Sequence, residues 1–188
     1  MLRIITGEAK GKALRTLEGE ATRPTSERIK EAIFSSIQFD IEDRRVLDLF
    51  AGSGQLGFEA LSRGAASVMF TDSAREAIDI VKENARALGY FDRCRYLVSD
   101  YRNYIRKAAG SQVFDLVFID PPYAMECARD ALVRLSEKDM LAKGAIVVLE
   151  SGNEDIDPES IPGFEIKKST HYGKKTFVNI LIYRGEDE

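Results

Sequence analysis

Two short stretches carry residue types that could do chemistry together. The first runs Asp48-Leu49-Phe50-Ala51-Gly52-Ser53-Gly54 and continues through Gln55 and Leu56 to Gly57. It satisfies G-x-G-x-x-G between an apolar, strand-like run and a helical run. In that context, backbone amides can approach a nucleotide-type ligand at a helix N-terminus. The second stretch is Asp120-Pro121-Pro122-Tyr123, after the apolar run Val113–Ile119. It offers a carboxylate, a rigid bend and an aromatic ring.

The glycines alone do not separate a dinucleotide from S-adenosylmethionine. Asp48 narrows the choice, because a carboxylate beside the turn repels a pyrophosphate and attracts a cationic aminoacyl-sulfonium. Asp72 lies 20 residues after Gly52 and ends a second apolar run, where an acid can accept both hydroxyls of a ribose. Asp100 ends a third, where it can accept from an adenine amine or simply cap the next helix. Ligands of open α/β sheets bind beyond the carboxyl ends of the strands, so three acids at successive strand ends mark one edge. Phe50 and Tyr101, neighbours of these positions, complete the expected cofactor set.

Paired prolines at Asp120–Tyr123 could do no more than stop a strand. A functional reading uses all four residues. An exocyclic amine on a base is a poor nucleophile, since its lone pair is delocalised into the ring. The Asp120 carboxylate and the Pro121 carbonyl can each accept one N–H and so aim the lone pair at a methyl sulfonium. Tyr123 can stack on the ring. The gains are positioning and electrostatic stabilisation, and the base must be flipped or unpaired to reach them. Cys127, four residues on, has no neighbour that would activate a thiolate, and reads as packing. Cys94 and Cys127 make no metal or redox pattern. The single histidine, His171, excludes a histidine-rich metal site.

The elements that must position these residues follow from patterning. Residues 2–6 and 12–17 read as a β-hairpin around a loose loop. A helix is predicted near 26–38, capped by Thr25 or Ser26, with Ile29, Ala32, Ile33 and Ile37 at helical spacing. Strands and helices then alternate: strands at 45–50, 67–72, 95–98, 113–119 and 144–150, and helices at 55–63, 74–88, 101–109 and 128–136. Continuous apolar strands in βα units indicate a parallel sheet covered on both faces. Runs 164–172 and 176–183 are separated by only three residues. A crossover helix cannot fit there, so these two are antiparallel.

The 188 residues hold 44% hydrophobic and 31% charged side chains, enough for a sizeable core under a soluble surface. There is neither a membrane-length apolar run nor a signal-peptide core, so a cytoplasmic protein with free thiols is expected. Net charge is −4, unevenly spread. Residues 1–31 hold seven basic and five acidic side chains; the remainder holds 20 and 26. A mildly basic N-terminal part fits local phosphate contact, although an ordinary solvated surface explains the charge equally well.

These residues resemble a known family. Asp48–Gly54 looks like motif I of the class I S-adenosylmethionine-dependent methyltransferases, and Asp120–Tyr123 like their motif for amino-group methylation. The closer resemblance is to the bacterial 16S rRNA guanine-N2 methyltransferases. It rests on Arg3-Ile4-Ile5-Thr6-Gly7 with Lys10-Gly11-Lys12, on Arg23-Pro24-Thr25-Ser26-Glu27-Arg28 leading to Glu31-Ala32-Ile33-Phe34, and on Glu59-Ala60-Leu61-Ser62-Arg63-Gly64-Ala65 and Tyr172-Gly173. The resemblance implies a Rossmann-like, seven-stranded, mostly parallel sheet ending in an antiparallel hairpin. It divides the chain into an RNA-contacting appendage (1–39) and a methyltransferase domain (40–188).

It also implies roles. Asp48, Phe50, Gly52, Gly54, Asp72, Asp100 and Tyr101 would hold S-adenosylmethionine. Asp120, Pro121 and Tyr123 would hold the target guanine. Arg23 and Thr25 at the site mouth, with Lys10 and Lys12, would contact RNA, as would Lys174 and Lys175. The implied substrate is 16S rRNA in the small ribosomal subunit or its assembly intermediate, and the implied state is a monomer. The chain departs from the family with Thr71-Asp72 at the second strand end and Ala74 just after it. Three rivals remain: a methyltransferase acting on adenine N6 in DNA or RNA or on an amide in protein, a non-catalytic RNA-binding assembly factor, and an NAD dehydrogenase. For the last, no proton-transfer histidine or Tyr–Lys arrangement accompanies the glycine turn.

Overall fold

The computed structural model describes residues 1–17, 27–122, 125, 127–152, 156–157, 160–173 and 175–185. Seven strands form one sheet: β1 (Arg45–Asp48), β2 (Ser67–Asp72), β3 (Cys94–Val98), β4 (Phe114–Ile119), β5 (Leu141–Ser151), β6 (Phe164–Tyr172) and β7 (Thr176–Tyr183). Their order is β3-β2-β1-β4-β5-β7-β6. The first five pair in parallel, and β7 is antiparallel to both β5 and β6. The helices are α1 (Glu27–Ser36), α2 (Gln55–Ser62), α3 (Arg75–Leu88), α4 (Tyr101–Ala108) and α5 (Ala128–Glu137). Among the described residues no helix is long and apolar enough to cross a membrane.

Each central strand is apolar on both sides because both faces are covered. Val46, Phe70, Phe118 and Val148 pack with α1, α2 and α3 in one cluster. Leu47, Val117, Ile119 and Val147 pack with α4 and α5 in another. Strand order reverses between β1 and β4, which opens a crevice at their carboxyl ends.

The N-terminal part keeps the antiparallel course of the expected hairpin but not its regular strands. Residues 2–6 and 12–17 form no strands; they share one antiparallel bridge, Arg3 with Ala13. Ile4 N–H donates to the Lys12 carbonyl, Leu14 N–H to the Leu2 carbonyl and Gly11 N–H to the Ile4 carbonyl, while neighbouring amides are used elsewhere. Ile5 and Thr6 N–H donate to the Glu59 carboxylate of α2 at 2.8 and 2.9 Å. Glu8 N–H donates to the Ser62 carbonyl, and Ala9 N–H to its hydroxyl. Ile4, Leu14, Ile33 and Phe34 are buried in the same cluster as the sheet.

Other bounds shift for local reasons. Helix α1 stops at Ser36, where 37–40 turn off. Strand β5 begins at Leu141, with a register irregularity against β4 between Phe114 and Leu116. A 3-10 turn at Phe91–Arg93 precedes β3. The expected Thr25 or Ser26 cap lies outside the described residues.

Candidate active site

The crevice at the switch point is a cavity of about 1130 Å³. Asp48, Phe50, Gly52, Asp72, Asp100, Tyr101 and Asp120 all line it. Strand-end acids thus converge because parallel strands deliver their C-terminal residues to one edge.

Asp48 is the most enclosed, 2% exposed. Its Oδ2 accepts the Gly57 N–H of α2 at 3.1 Å. Burial pushes its carboxyl up to about 7, against the stabilising Gly57 amide and with some help from the charge of Asp72. A carboxylate held this way on a cavity wall suits a cationic ligand, which would restore its ionised form. Asp72 accepts from Gly52 N–H at 3.0 Å and from Ala74 N–H at 2.9 Å. It therefore pins the glycine turn while facing the cavity. The shorter acid at 72 and the alanine at 74 make one local unit.

Asp100 caps α4. Its carboxylate accepts from the Asn103 N–H at 3.0 Å and from the Asn103 side-chain amide at 2.6 Å. The Asn103 backbone bond holds the carboxyl below its ordinary value. Capping and cavity lining are both realised. The Tyr101 hydroxyl donates to Asp130 at 2.7 Å, and its ring meets Phe50 at 5.4 Å between centroids. Burial, chiefly, pushes the Tyr101 phenol up to about 12. This leaves a rigid, uncharged aromatic wall beside Asp100.

The glycines divide their work. Gly52 lines the cavity, at φ 53°. Gly54 does not line it. At φ 82° it begins α2, and a Cβ there would sit 2.6 Å from the Phe58 ring and 3.2 Å from the Phe70 ring. A Cβ on Gly57 would sit 2.4 Å from Phe70. These two serve helix–strand packing.

Asp120 follows β4, is half-buried, and faces the cavity together with Pro122; Pro121 is buried. Tyr123, Arg23, Thr25 and Lys174 lie outside the described residues. Lys10 and Lys12 are exposed on the turn held by Ser62, at the far end of α2 from the glycine turn. They are not brought to the cavity. Cys94 and Cys127 are buried free thiols. Burial pushes Cys94 up to about 11, which makes it inert, while Cys127 also touches the cavity.

Three features escaped sequence reasoning. Glu150, at the end of β5, and Thr176, at the start of β7, line the cavity. Glu150 was hidden inside an apolar strand pattern. Lys30 and Glu59 are fully enclosed, 3.5 Å apart, and Lys30 Nζ donates to the Arg3 carbonyl at 2.7 Å. Burial lowers the Lys30 ammonium pKa, partly offset by Glu59. Asn84 donates to the Ser53 and Arg15 carbonyls and accepts from Arg15 N–H, which ties the glycine turn to the N-terminal segment.

The sheet order, the C-terminal antiparallel strand pair and the acid-lined crevice define a class I methyltransferase. The family described as Conserved hypothetical protein 95 matches residues 2–181, and the chain belongs to it. YlbH of Bacillus subtilis is 34% identical over 97% of this chain and 98% of its own length. Ribosomal RNA small subunit methyltransferase D of Haemophilus influenzae is 33% identical over 85% of this chain and 84% of its own. The solved structure of yhhF from Escherichia coli superposes with a TM-score of 0.85 at 27% identity, covering 98% of this chain and 99% of that one. S-adenosylmethionine is the cofactor. The residues are compatible with it in chemistry: three carboxylates (Asp48, Asp72 and Asp100), the Gly52 turn and the Phe50–Tyr101 aromatic pair line one cavity.

Proposed function

We propose that this chain transfers a methyl group from S-adenosylmethionine to the exocyclic N2 amine of a guanine in 16S rRNA of the small ribosomal subunit. The observation that carries the reading is that Asp120 opens onto the same cavity as Asp48, Asp72 and Gly52. An acceptor carboxylate thus shares one enclosure with the donor residues. Relatives in Haemophilus influenzae and Escherichia coli named ribosomal RNA small subunit methyltransferase D support the choice of RNA.

When bound, the cofactor supplies an electrophilic methyl on a sulfonium. In this reading the protein's own residues do the rest. Asp48 and the Gly52 turn fix the aminoacyl end, and Asp72 and Asp100 fix the nucleoside. Asp120 and the Pro121 carbonyl each accept one N–H of the target amine and direct its lone pair, while Tyr123 stacks on the base. Gain comes from alignment and from a carboxylate placed where positive charge develops on nitrogen. The proton leaves after transfer, so Asp120 need not be a strong base. Arg23, Thr25, Lys10, Lys12, Lys174 and Lys175 contact RNA. Residues 1–39 form the RNA-contacting part of a cytoplasmic monomer, and 40–188 the methyltransferase domain.

The test is methyl transfer from labelled S-adenosylmethionine to small subunits taken from cells lacking this protein, followed by nucleoside mass analysis. N2-methylguanosine in 16S rRNA is the expected product. N6-methyladenosine, or transfer to free DNA with none to subunits, would overturn the reading.

A further inference from the structure

Strands β4 and β5 run parallel in register, with Phe118 opposite Val148 and Ile119 opposite Leu149. The next residues, Asp120 and Glu150, leave adjacent strands about 4.8 Å apart. Side chains alternate across a sheet, so Glu150 follows Val148 onto the face covered by α1 and α2, while Asp120 lies one residue past the end of β4. Asp48, two positions beyond Val46, shares that face. Both acids line the cavity. Glu150 is only 4% exposed. Its enclosure is completed by β7, where Val178 is its cross-strand partner and Thr176 also lines the cavity. Ile29 and Glu27 of α1 line the same cavity.

An enclosed carboxylate one strand beyond the amine-binding acid is on the acceptor side of the site, away from Asp72 and Asp100 on β2 and α4. Resting on the guanine-N2 reading above, we infer that Glu150 selects guanine by accepting its N1–H while Asp120 accepts from the neighbouring N2 amine. On the Watson–Crick edge of guanine, N1–H and N2–H point the same way as two adjacent donors. Two adjacent carboxylates are their complement. Adenine places an unprotonated N1 beside its amine, and a carboxylate facing that lone pair is repelled. A carboxylate has two oxygens with two lone pairs each, so Glu150 can keep a partner within the protein and still accept the N1–H of a base. Glu150 is thus the specificity-determining residue, and Asp120 alone would accept any exocyclic amine.

The probe is the small subunit reconstituted with 2-aminopurine at the nucleotide methylated by the wild type. This base keeps the C2 amine and lacks the N1–H. Wild-type protein is expected to prefer guanine by on the order of 100-fold or more in kcat/KM. In Glu150→Gln the amide can turn its N–H toward an unprotonated N1, so the preference should narrow to about tenfold or less, while S-adenosylmethionine affinity stays unchanged. A purely structural role would lower both substrates together. Equal wild-type rates on guanine and 2-aminopurine would overturn the inference whatever the variant's folding. So would an undiminished preference in a folded Glu150→Gln. Either result leaves the guanine-N2 reading standing. That reading itself falls if the wild type methylates no guanine amine in the subunit, and the inference falls with it.

Discussion

The Asp48 carboxylate receives the Gly57 amide of α2 at 3.1 Å while standing 2% exposed on the cavity wall. One amide does not replace the water it has lost, which is why its carboxyl is pushed up to about 7. Because the folded value lies above the unfolded one, the cofactor-free protein binds a proton that the unfolded chain has released. Its stability therefore falls as pH rises from about 4 to about 7. A cationic ligand favours the ionised carboxylate, so cofactor affinity should rise across pH 6 to 8. Calorimetry and thermal shift over that range check both trends. Asp48→Asn keeps the Gly57 bond, should raise the melting temperature of the cofactor-free protein at pH 8, and should weaken cofactor binding tenfold or more. Unchanged binding in this variant would remove Asp48 from the cofactor site.

Gly54 makes a different prediction from the one its motif suggests. A side chain there meets Phe58 and Phe70 rather than the cavity, in a left-handed conformation. Gly54→Ala should cost about 2–4 kcal/mol through strain and overpacking. For a chain of this size that is a melting-temperature drop on the order of 5–15 °C. Cofactor affinity should fall less than in Asp48→Asn. A variant with wild-type melting and no cofactor binding would show that the glycine serves the ligand after all.

The enclosed Lys30–Glu59 pair predicts where the fold is vulnerable. Glu59 accepts from Ile5 N–H, Thr6 N–H and Arg63 Nε, the last at 3.0 Å, with Lys30 beside it. Glu59→Gln leaves the Lys30 ammonium enclosed without a compensating charge, a loss of about 3–5 kcal/mol. Residues 1–17 should then exchange amide hydrogens and admit protease far faster than β4 or β5. Lys30→Met should be milder, since Arg63 and two amides still serve Glu59. Equal protection of the N-terminal segment in Glu59→Gln would refute this anchoring.

What could be read ahead of the structure depended on whether the cause was local. Strands β2, β6 and β7 were legible to the residue, because apolar runs and a three-residue gap encode them directly. The strand-end acids were legible because each follows such a run. The antiparallel course of the N-terminal segments was legible, but not their lack of regular strands, because the Ile5, Thr6 and Ala9 amides bond to side chains some 50 residues away. Glu59 sits in a helix where a glutamate ordinarily reads as solvated, and it is Lys30 of α1 together with the Ile5 and Thr6 amides that reverse that. Gly54 and Gly57 carry a cofactor signature in sequence, yet it is the Phe58 ring at Gly54 and the Phe70 ring at Gly57 that leave no room for a side chain. Glu150 ends an apolar run as the other acids do, but no G-x-G-x-x-G turn or proline pair follows to single it out.

Asp120 offers the sharpest separation of binding from chemistry. It follows β4 across the switch point from Asp72, and the proposed reading gives its carboxylate to the amine rather than to the cofactor. Asp120→Ala should therefore keep S-adenosylmethionine affinity within about twofold of wild type. It should lose methyl transfer to small subunits by on the order of 100-fold or more, the scale of removing one preorganised electrostatic partner from a transition state. Asp120→Asn should lie between, because its amide oxygen can accept one N–H but carries no charge to offset the cation forming on nitrogen. Single-turnover transfer at saturating cofactor, beside calorimetric binding, measures the two separately. If Asp120→Ala lost affinity and rate in equal proportion, Asp120 would belong to the cofactor pocket and the amine would have to be held elsewhere.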